Sequence, residues 1–320
     1  ADNKFRIMNI SDVVSVTLKN INFINGNINQ QADHGGGAIY TGSGSVTVIG
    51  STFTNCTSYY SGGAINIFDN GSVTVTDSTF TNTTSEGSGG AISSSGSVTV
   101  TDSTFTNITG DSGGAIYSWS SSVTVTDSTF TNITGYEGGA IYSSGGSLTV
   151  SNSSFINTTS EYAGGAIYSE NVNVIGSSFI NTKVTSDAGG AIYTYGNVIV
   201  IDSTFTNITG YDGGAIYKGY GGNLTVINST FINTSAVGSN VDGGAICNSY
   251  GGYVNVLNST FINTTATRNG GAISSSGSVT VSNSTFTNTA SEYDGGAIYT
   301  SNGGSVTVSN STFTKTASRN

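Results

Sequence analysis

One element constrains this chain more than any other. Gly-Gly-Ala-Ile stands eleven times, beginning at Gly36, Gly62, Gly89, Gly113, Gly138, Gly164, Gly189, Gly213, Gly243, Gly270 and Gly295, at intervals of 24 to 30 residues. Self-similarity at this period marks a solenoid. Each copy leads into an alternating stretch such as Ser122-Val123-Thr124-Val125-Thr126-Asp127, and then into a segment such as Ser128-Thr129-Phe130-Thr131-Asn132. The apolar residues recur two apart in short β-branched runs, which excludes leucine-rich, ankyrin and tetratricopeptide repeats with their helical spacing. No two-residue hairpin signal lies between matched runs, so each strand must pair with its own copy one period later, in parallel and in register. The predicted fold is all-β, a right-handed parallel β-helix of about twelve three-stranded coils.

Residues 1–320 read as a single β-helix domain, with 1–35 a degenerate opening coil and 36–320 the regular repeats. Phe5, Ile7, Val14, Val16 and Leu18 alternate in the opening coil, and Asn22-Phe23-Ile24-Asn25 already carries the Phe-x-Asn element. The last residues, Thr316-Ala317-Ser318-Arg319-Asn320, stop where another first strand is due. That ending predicts part of a longer array, or copies that dock end to end by strand addition.

Side-chain parity assigns the faces. Ile116 points in and Ala115 and Tyr117 point out; Val123 and Val125 point in and Thr124 and Thr126 point out. Parity slips at Asp127, which marks a corner, and beyond it Ser128, Phe130 and Asn132 are expected inside. This predicts an inward ladder of stacked carboxamides from Asn55, Asn82, Asn107, Asn132, Asn157, Asn181, Asn207, Asn233, Asn263 and Asn288, satisfying its own polar groups and nearby turn backbone.

Charge and composition exclude several functions. With 18 acidic and 8 basic residues the net charge is −10, so there is no basic footprint for nucleic acid. No run of about 18 apolar residues is present to span a bilayer. Polysaccharide-cleaving β-helices need clustered carboxylates with basic residues in a cleft. Here His34 is the only histidine, and Lys183, Lys218 and Arg268 are the only basic residues between positions 20 and 314. The chain is therefore expected not to be an enzyme and to need no cofactor. Asp77, Asp102, Asp127 and Asp202 at equivalent corners read as exposed turn formers. If stacked, they permit Ca²⁺ binding, as does a second acidic line through Glu137, Glu161, Asp187, Asp212, Asp242 and Asp294. Cys56 and Cys247 lie about 34 Å apart by strand spacing, beyond disulfide reach.

The outer faces carry the candidate contacts. Tyr40, Tyr117, Tyr142, Tyr168, Tyr193, Tyr217 and Tyr299 form a broken stripe, suited equally to strand structure and to binding sugars or proteins. Outward positions that are Thr in early and late coils become Ile156, Ile175, Ile180, Ile199, Ile201, Ile227, Ile232, Leu257 and Ile262 in the middle, a candidate surface for a partner or a second copy. Asn-x-Ser/Thr occurs sixteen times. The corner copies Asn152, Asn228, Asn258, Asn283 and Asn310 are the expected glycan acceptors, whereas Asn107 and Asn132 are expected to be buried.

Gly-Gly-Ala-Ile together with a Phe/Asn motif resembles the passenger repeats of chlamydial polymorphic outer-membrane proteins. The phrase Val-Thr-Val-Ser-Asn-Ser-Thr-Phe-Thr-Asn at 279–288 is also similar to adhesin-like surface proteins of methanogenic archaea. The resemblance covers residues 14–320 and is one of repeat type. It departs from the chlamydial motif in placing Asn two rather than three after Phe, and Lys315 replaces that Asn in the last coil. It implies an exported, extracellular cell-surface β-helix used in adhesion. The expected function is a non-enzymatic structural or adhesin fibre, a stiff rod that associates with its own copies end to end or laterally, or with a cell-surface protein or glycan. A polysaccharide-binding or polysaccharide-cleaving β-helix is the alternative.

Overall fold

The computed structural model describes residues 5–10, 14–28 and 34–319. Of the opening coil expected over 1–35, the remaining residues lie outside those described. The chain divides into two compact units: Ala1–Thr149 with Phe155–Ser160 and Ile167–Ser169, and Val150–Ser154 with Glu161–Ala166 and Glu170–Asn320. Each unit is a stack of parallel rungs, and no helix occurs among the described residues.

One rung of the first unit shows how the sequence makes the coil. Strands Ile92–Ser94, Val98–Thr101 and Thr104–Thr109 pair in parallel with Ile116–Ser118, Val123–Thr126 and Thr129–Glu137. The register is the repeat itself: Ile92 faces Ile116, Val98 faces Val123 and Phe105 faces Phe130. Gly-Gly-Ala-Ile and Val-x-Val strands share one sheet and Phe strands form the other. The second unit is built alike, with Ile216 opposite Ile246, Leu224 opposite Val254 and Phe231 opposite Phe261. The opening segment is regular where described, with Met8 opposite Ile39, Val16 opposite Val46 and Phe23 opposite Phe53.

Three corners bend each rung. At the first, Gly113 takes φ +66, and a Cβ there would meet the Ile116 carbonyl oxygen at 2.1 Å. Strand geometry begins only at Ile116. Alternation therefore does not extend back through the glycines, and Ala115 is fully buried rather than outward. At the second, Asp127 takes φ +49 and Ser128 turns inward, its hydroxyl donating to the Thr126 carbonyl at 2.7 Å and accepting from the Ser103 amide at 3.1 Å.

The third corner corrects the predicted carboxamide ladder. Asn55, Asn82, Asn107, Asn132, Asn157, Asn181, Asn207, Asn233, Asn263 and Asn288 are all exposed. Their φ values, +53 to +56, are left-handed. A left-handed residue resets the pleat, so Asn stays outside and the next residue goes in, as at Asp127. Asn is among the few residues besides Gly that adopt this conformation readily. The ladder itself exists on the outer face. In the first unit Asn132 Nδ2 donates to Asn107 Oδ1 at 3.1 Å, and in the second Asn233 Nδ2 donates to Asn207 Oδ1 at 2.9 Å.

The core is columnar. Phe rings stack at 4.6–4.9 Å from Phe23 to Phe155 in the first unit, and at 4.7–4.8 Å from Phe179 to Phe313 in the second. The residue after the corner Asn forms a further buried column: Ile108, Ile133 and Ile208, Cys56, and six threonines. The hydroxyls of Thr83, Thr158, Thr182, Thr234, Thr264 and Thr289 have no hydrogen-bond partner there. An unpaired buried hydroxyl costs about 1–3 kcal/mol. Thr234→Val is therefore expected to raise the urea midpoint, corresponding to about 1 kcal/mol or more of added stability. A midpoint at or below that of the wild type would show that the hydroxyl is satisfied in solution.

Candidate functional site

The outward residues are the functional candidates. Asn152, Asn228, Asn258, Asn283 and Asn310 are exposed at the second corner with φ +47 to +51, and Asn258 Nδ2 donates to Asn228 Oδ1 at 3.2 Å. Because the Phe-x-Asn column also faces out, Asn107 and Asn132 are not buried as expected, and exposure does not separate them from Asn258 as glycan acceptors.

The aliphatic positions fall into two columns in the second unit. Ile175, Ile201, Ile227 and Leu257 stand opposite one another on consecutive rungs, and Ile180, Thr206, Ile232 and Ile262 do so across the corner. Ile199 is 42% exposed, whereas the others, with Ile156 of the first unit, are half-buried.

The acidic residues have two fates. Asp77, Asp102, Asp127 and Asp202 are exposed at the second corner, and no cluster of three metal-ligating side chains occurs among the described residues. Along the other acidic line, Asp212 and Asp242 tie down the long loop before Gly243. Asp212 Oδ1 accepts from the Asp242 amide at 2.6 Å. Asp242 is buried, ion-paired to Arg268 through both guanidinium arms, and accepts from the Asn269 amide at 2.9 Å. Burial pushes the Asp212 carboxyl above its ordinary value, with the neighbouring Asp242 charge acting in the same direction.

Sequence reasoning missed Lys218, which is fully buried. It occupies the inward place held by Thr194 in the preceding rung and Asn248 in the following one. Its Nζ donates to Asn248 Oδ1 at 2.9 Å and to the Gly251 carbonyl at 3.1 Å. Burial holds its pKa below the ordinary 10.5. The unfolded chain then binds the proton more tightly, so the penalty is full below the folded pKa and vanishes above 10.5. The stability advantage of Lys218→Thr over wild type should accordingly shrink as pH rises from neutrality towards 10.5. A difference constant over that range would place the ammonium in solvent.

The tyrosine stripe is a stack more than an open surface. Tyr117 and Tyr142 lie 5.3 Å apart, and Tyr142 and Tyr168 4.7 Å apart. Tyr168 and Tyr193 are 7% and 9% exposed. Burial, with Tyr142 and Glu137 nearby, pushes the Tyr117 hydroxyl up to about 12. In the first unit the stack is interrupted, because the residues between Tyr40 and Tyr117 in register are Asn66 and Ser93. The interruption opens a groove of about 490 Å³, with Phe68, Tyr60, Trp119 and His34 on its walls. Phe68 and Trp119 are 62% and 60% exposed.

Comparison with known families agrees with the geometry. Residues 1–130 match the right handed beta helix region, the handedness expected from the repeat. Residues 127–144 match the Chlamydia polymorphic membrane protein repeat. Searches of curated proteins and of solved structures returned no match. The chain is thus an all-β parallel solenoid, and over residues 127–144 it resembles the Chlamydia polymorphic membrane protein repeat.

Proposed function

We propose that the chain is a non-enzymatic, surface-displayed passenger segment whose outer columns make adhesive contacts. The observation that carries this reading is the Chlamydia polymorphic membrane protein repeat at 127–144, set in rungs that present Asn and Thr columns outward. Uniform stacked rungs suit display, because each adds outer surface without needing a new core. The partners fitting these faces are a cell-surface protein or glycan, or a second copy of the chain. The buried Asp242 is engaged with Arg268 and the Asn269 amide, which supports a structural rather than a catalytic use of the acidic line.

Antibodies against the purified chain test the display. Intact, unpermeabilised source cells should be labelled, and protease added outside should remove the signal. Labelling only after permeabilisation would overturn the proposal. Beads coated with the chain should bind target cells above uncoated beads.

A further inference from the structure

The groove in the first unit has a shape set by omission. From Tyr117 through Tyr142 to Tyr168, adjacent rungs of the tyrosine column put rings directly against each other, whereas in the second unit Cys247 and Ser274 separate Tyr217 from Tyr299. Between Tyr40 and Tyr117, Asn66 and Ser93 leave two rungs without a tyrosine, and the His34 ring takes up the Tyr40 end of that gap, stacked on Tyr40 at 5.5 Å and tilted 5.5 Å from Phe68. At about 4.8 Å per rung, Tyr40 and Tyr117 are separated by about 14 Å of strand spacing. A parallel column two residues along repeats the pattern: the Ser95 hydroxyl donates to the Phe68 carbonyl at 2.7 Å, and the Trp119 amide donates to the Ser94 carbonyl at 3.1 Å. Ser95 therefore sits on the rung between the exposed Phe68 and Trp119. In the second unit Tyr220 and Tyr250, one position further along their strands, carry rings on adjacent rungs, stacked at 4.7 Å. The place beside Ser95 is a slot for a flat ring that the chain itself does not supply.

We infer that this groove binds a neutral, pyranose-containing saccharide, one sugar ring lying in the slot between Phe68 and Trp119. The volume of about 490 Å³ falls within the range of small-ligand sites. No Lys, Arg, Asp or Glu is among the lining residues, so a charged ligand would lose water without gaining a counter-charge. Aromatic rings offer faces to the C–H side of a sugar, while the hydroxyls of Ser61 and Ser93 offer partners to its hydroxyls; the Asn66 carboxamide nitrogen donates to the His34 carbonyl. A peptide with an aromatic side chain fits less well. The floor backbone is already committed, with the Ser95 amide on the Ile67 carbonyl at 3.2 Å and the Ile92 amide on the Ala115 carbonyl at 2.9 Å, leaving no strand edge to pair with.

This deepens the adhesive reading by naming a ligand class, yet its test stands apart from surface display. Trp119 is the only tryptophan in the chain, so tryptophan fluorescence reports the groove directly. The full chain is titrated with cellotetraose, laminaritetraose, mannotetraose and chitotetraose, each up to about 10 mM, above a millimolar Kd. At least one should change Trp119 emission saturably. Ser93→Tyr restores a ring that other rungs carry, and should weaken that binding about tenfold or more while leaving the circular dichroism spectrum and urea midpoint near wild type. Calorimetry on Trp119→Ala should show a comparable loss. The inference is overturned if none of the four sugars changes the emission, if Ser93→Tyr binds as the wild type does, or if only a Trp- or Tyr-containing peptide competes for the slot.

Discussion

Gly114→Ala is expected to destabilise the chain by about 4 kcal/mol or more, a size reached when a core position cannot accommodate added atoms. A Cβ on Gly114 would stand 2.1 Å from the Gly139 carbonyl oxygen and 2.5 Å from that of Thr134. Both are backbone atoms, so no side-chain rotation relieves the contact. Nor can the rung move aside, because the Gly114 amide donates to the Gly138 carbonyl at 3.1 Å and the Ala115 amide to the Ala140 carbonyl at 2.9 Å. Native-state hydrogen exchange should show lost protection centred on the rungs around Gly114 and Gly139. The exposed Thr124→Ala serves as control and should shift stability by no more than about 0.5 kcal/mol. If Gly114→Ala unfolded at the same urea concentration as the control, the close stacking of the glycine column would be wrong.

Phe130→Ala is the second large effect, expected at about 3–5 kcal/mol. Its ring is fully buried between Phe105 at 4.7 Å and Phe155 at 4.9 Å, so truncation removes contacts on both faces and leaves a cavity that two neighbouring backbones in fixed register cannot close. Phe130→Leu keeps most of the volume and should cost less than half as much. Equal losses for the two variants would indicate that ring stacking, rather than volume, dominates the column.

Much of this architecture was legible because one string repeats. Gly-Gly-Ala-Ile fixed the period, the β-branched alternation fixed strands, and the lack of hairpin signals fixed parallel pairing. The parity of Val123 and Val125 and the slip at Asp127 were also readable. The inward placement of Asn132 failed for a physical reason: strict alternation was carried through Phe130-Thr131-Asn132, whereas a left-handed residue restarts it. Two signals in the sequence point to the correct parity. Lys315 replaces Asn in the last rung, and a lysine is rarely buried. The following position carries Ile108, Ile133, Ile208 and Cys56, an apolar set that belongs inside. Lys218 shows the limit from the other side, since nothing about a single lysine tells that its neighbours across the rung are Thr194 and Asn248. The groove needed register as well. Asn66 and Ser93 are ordinary residues until Tyr40 and Tyr117 are known to stand on either side of them.

In-register parallel stacking underlies every assignment above, and paired spin labels test it directly. Thr109 and Thr134 are both exposed and stand opposite one another on adjacent rungs, about 4.8 Å apart by strand spacing. Cys56 and Cys247 are buried, and burial pushes the Cys56 thiol up to about 11, so nitroxide labelling of Thr109→Cys/Thr134→Cys is confined to the introduced thiols. The doubly labelled chain should give an electron paramagnetic resonance spectrum strongly broadened by spin–spin interaction. A spectrum equal to the sum of the two singly labelled chains would contradict the fold.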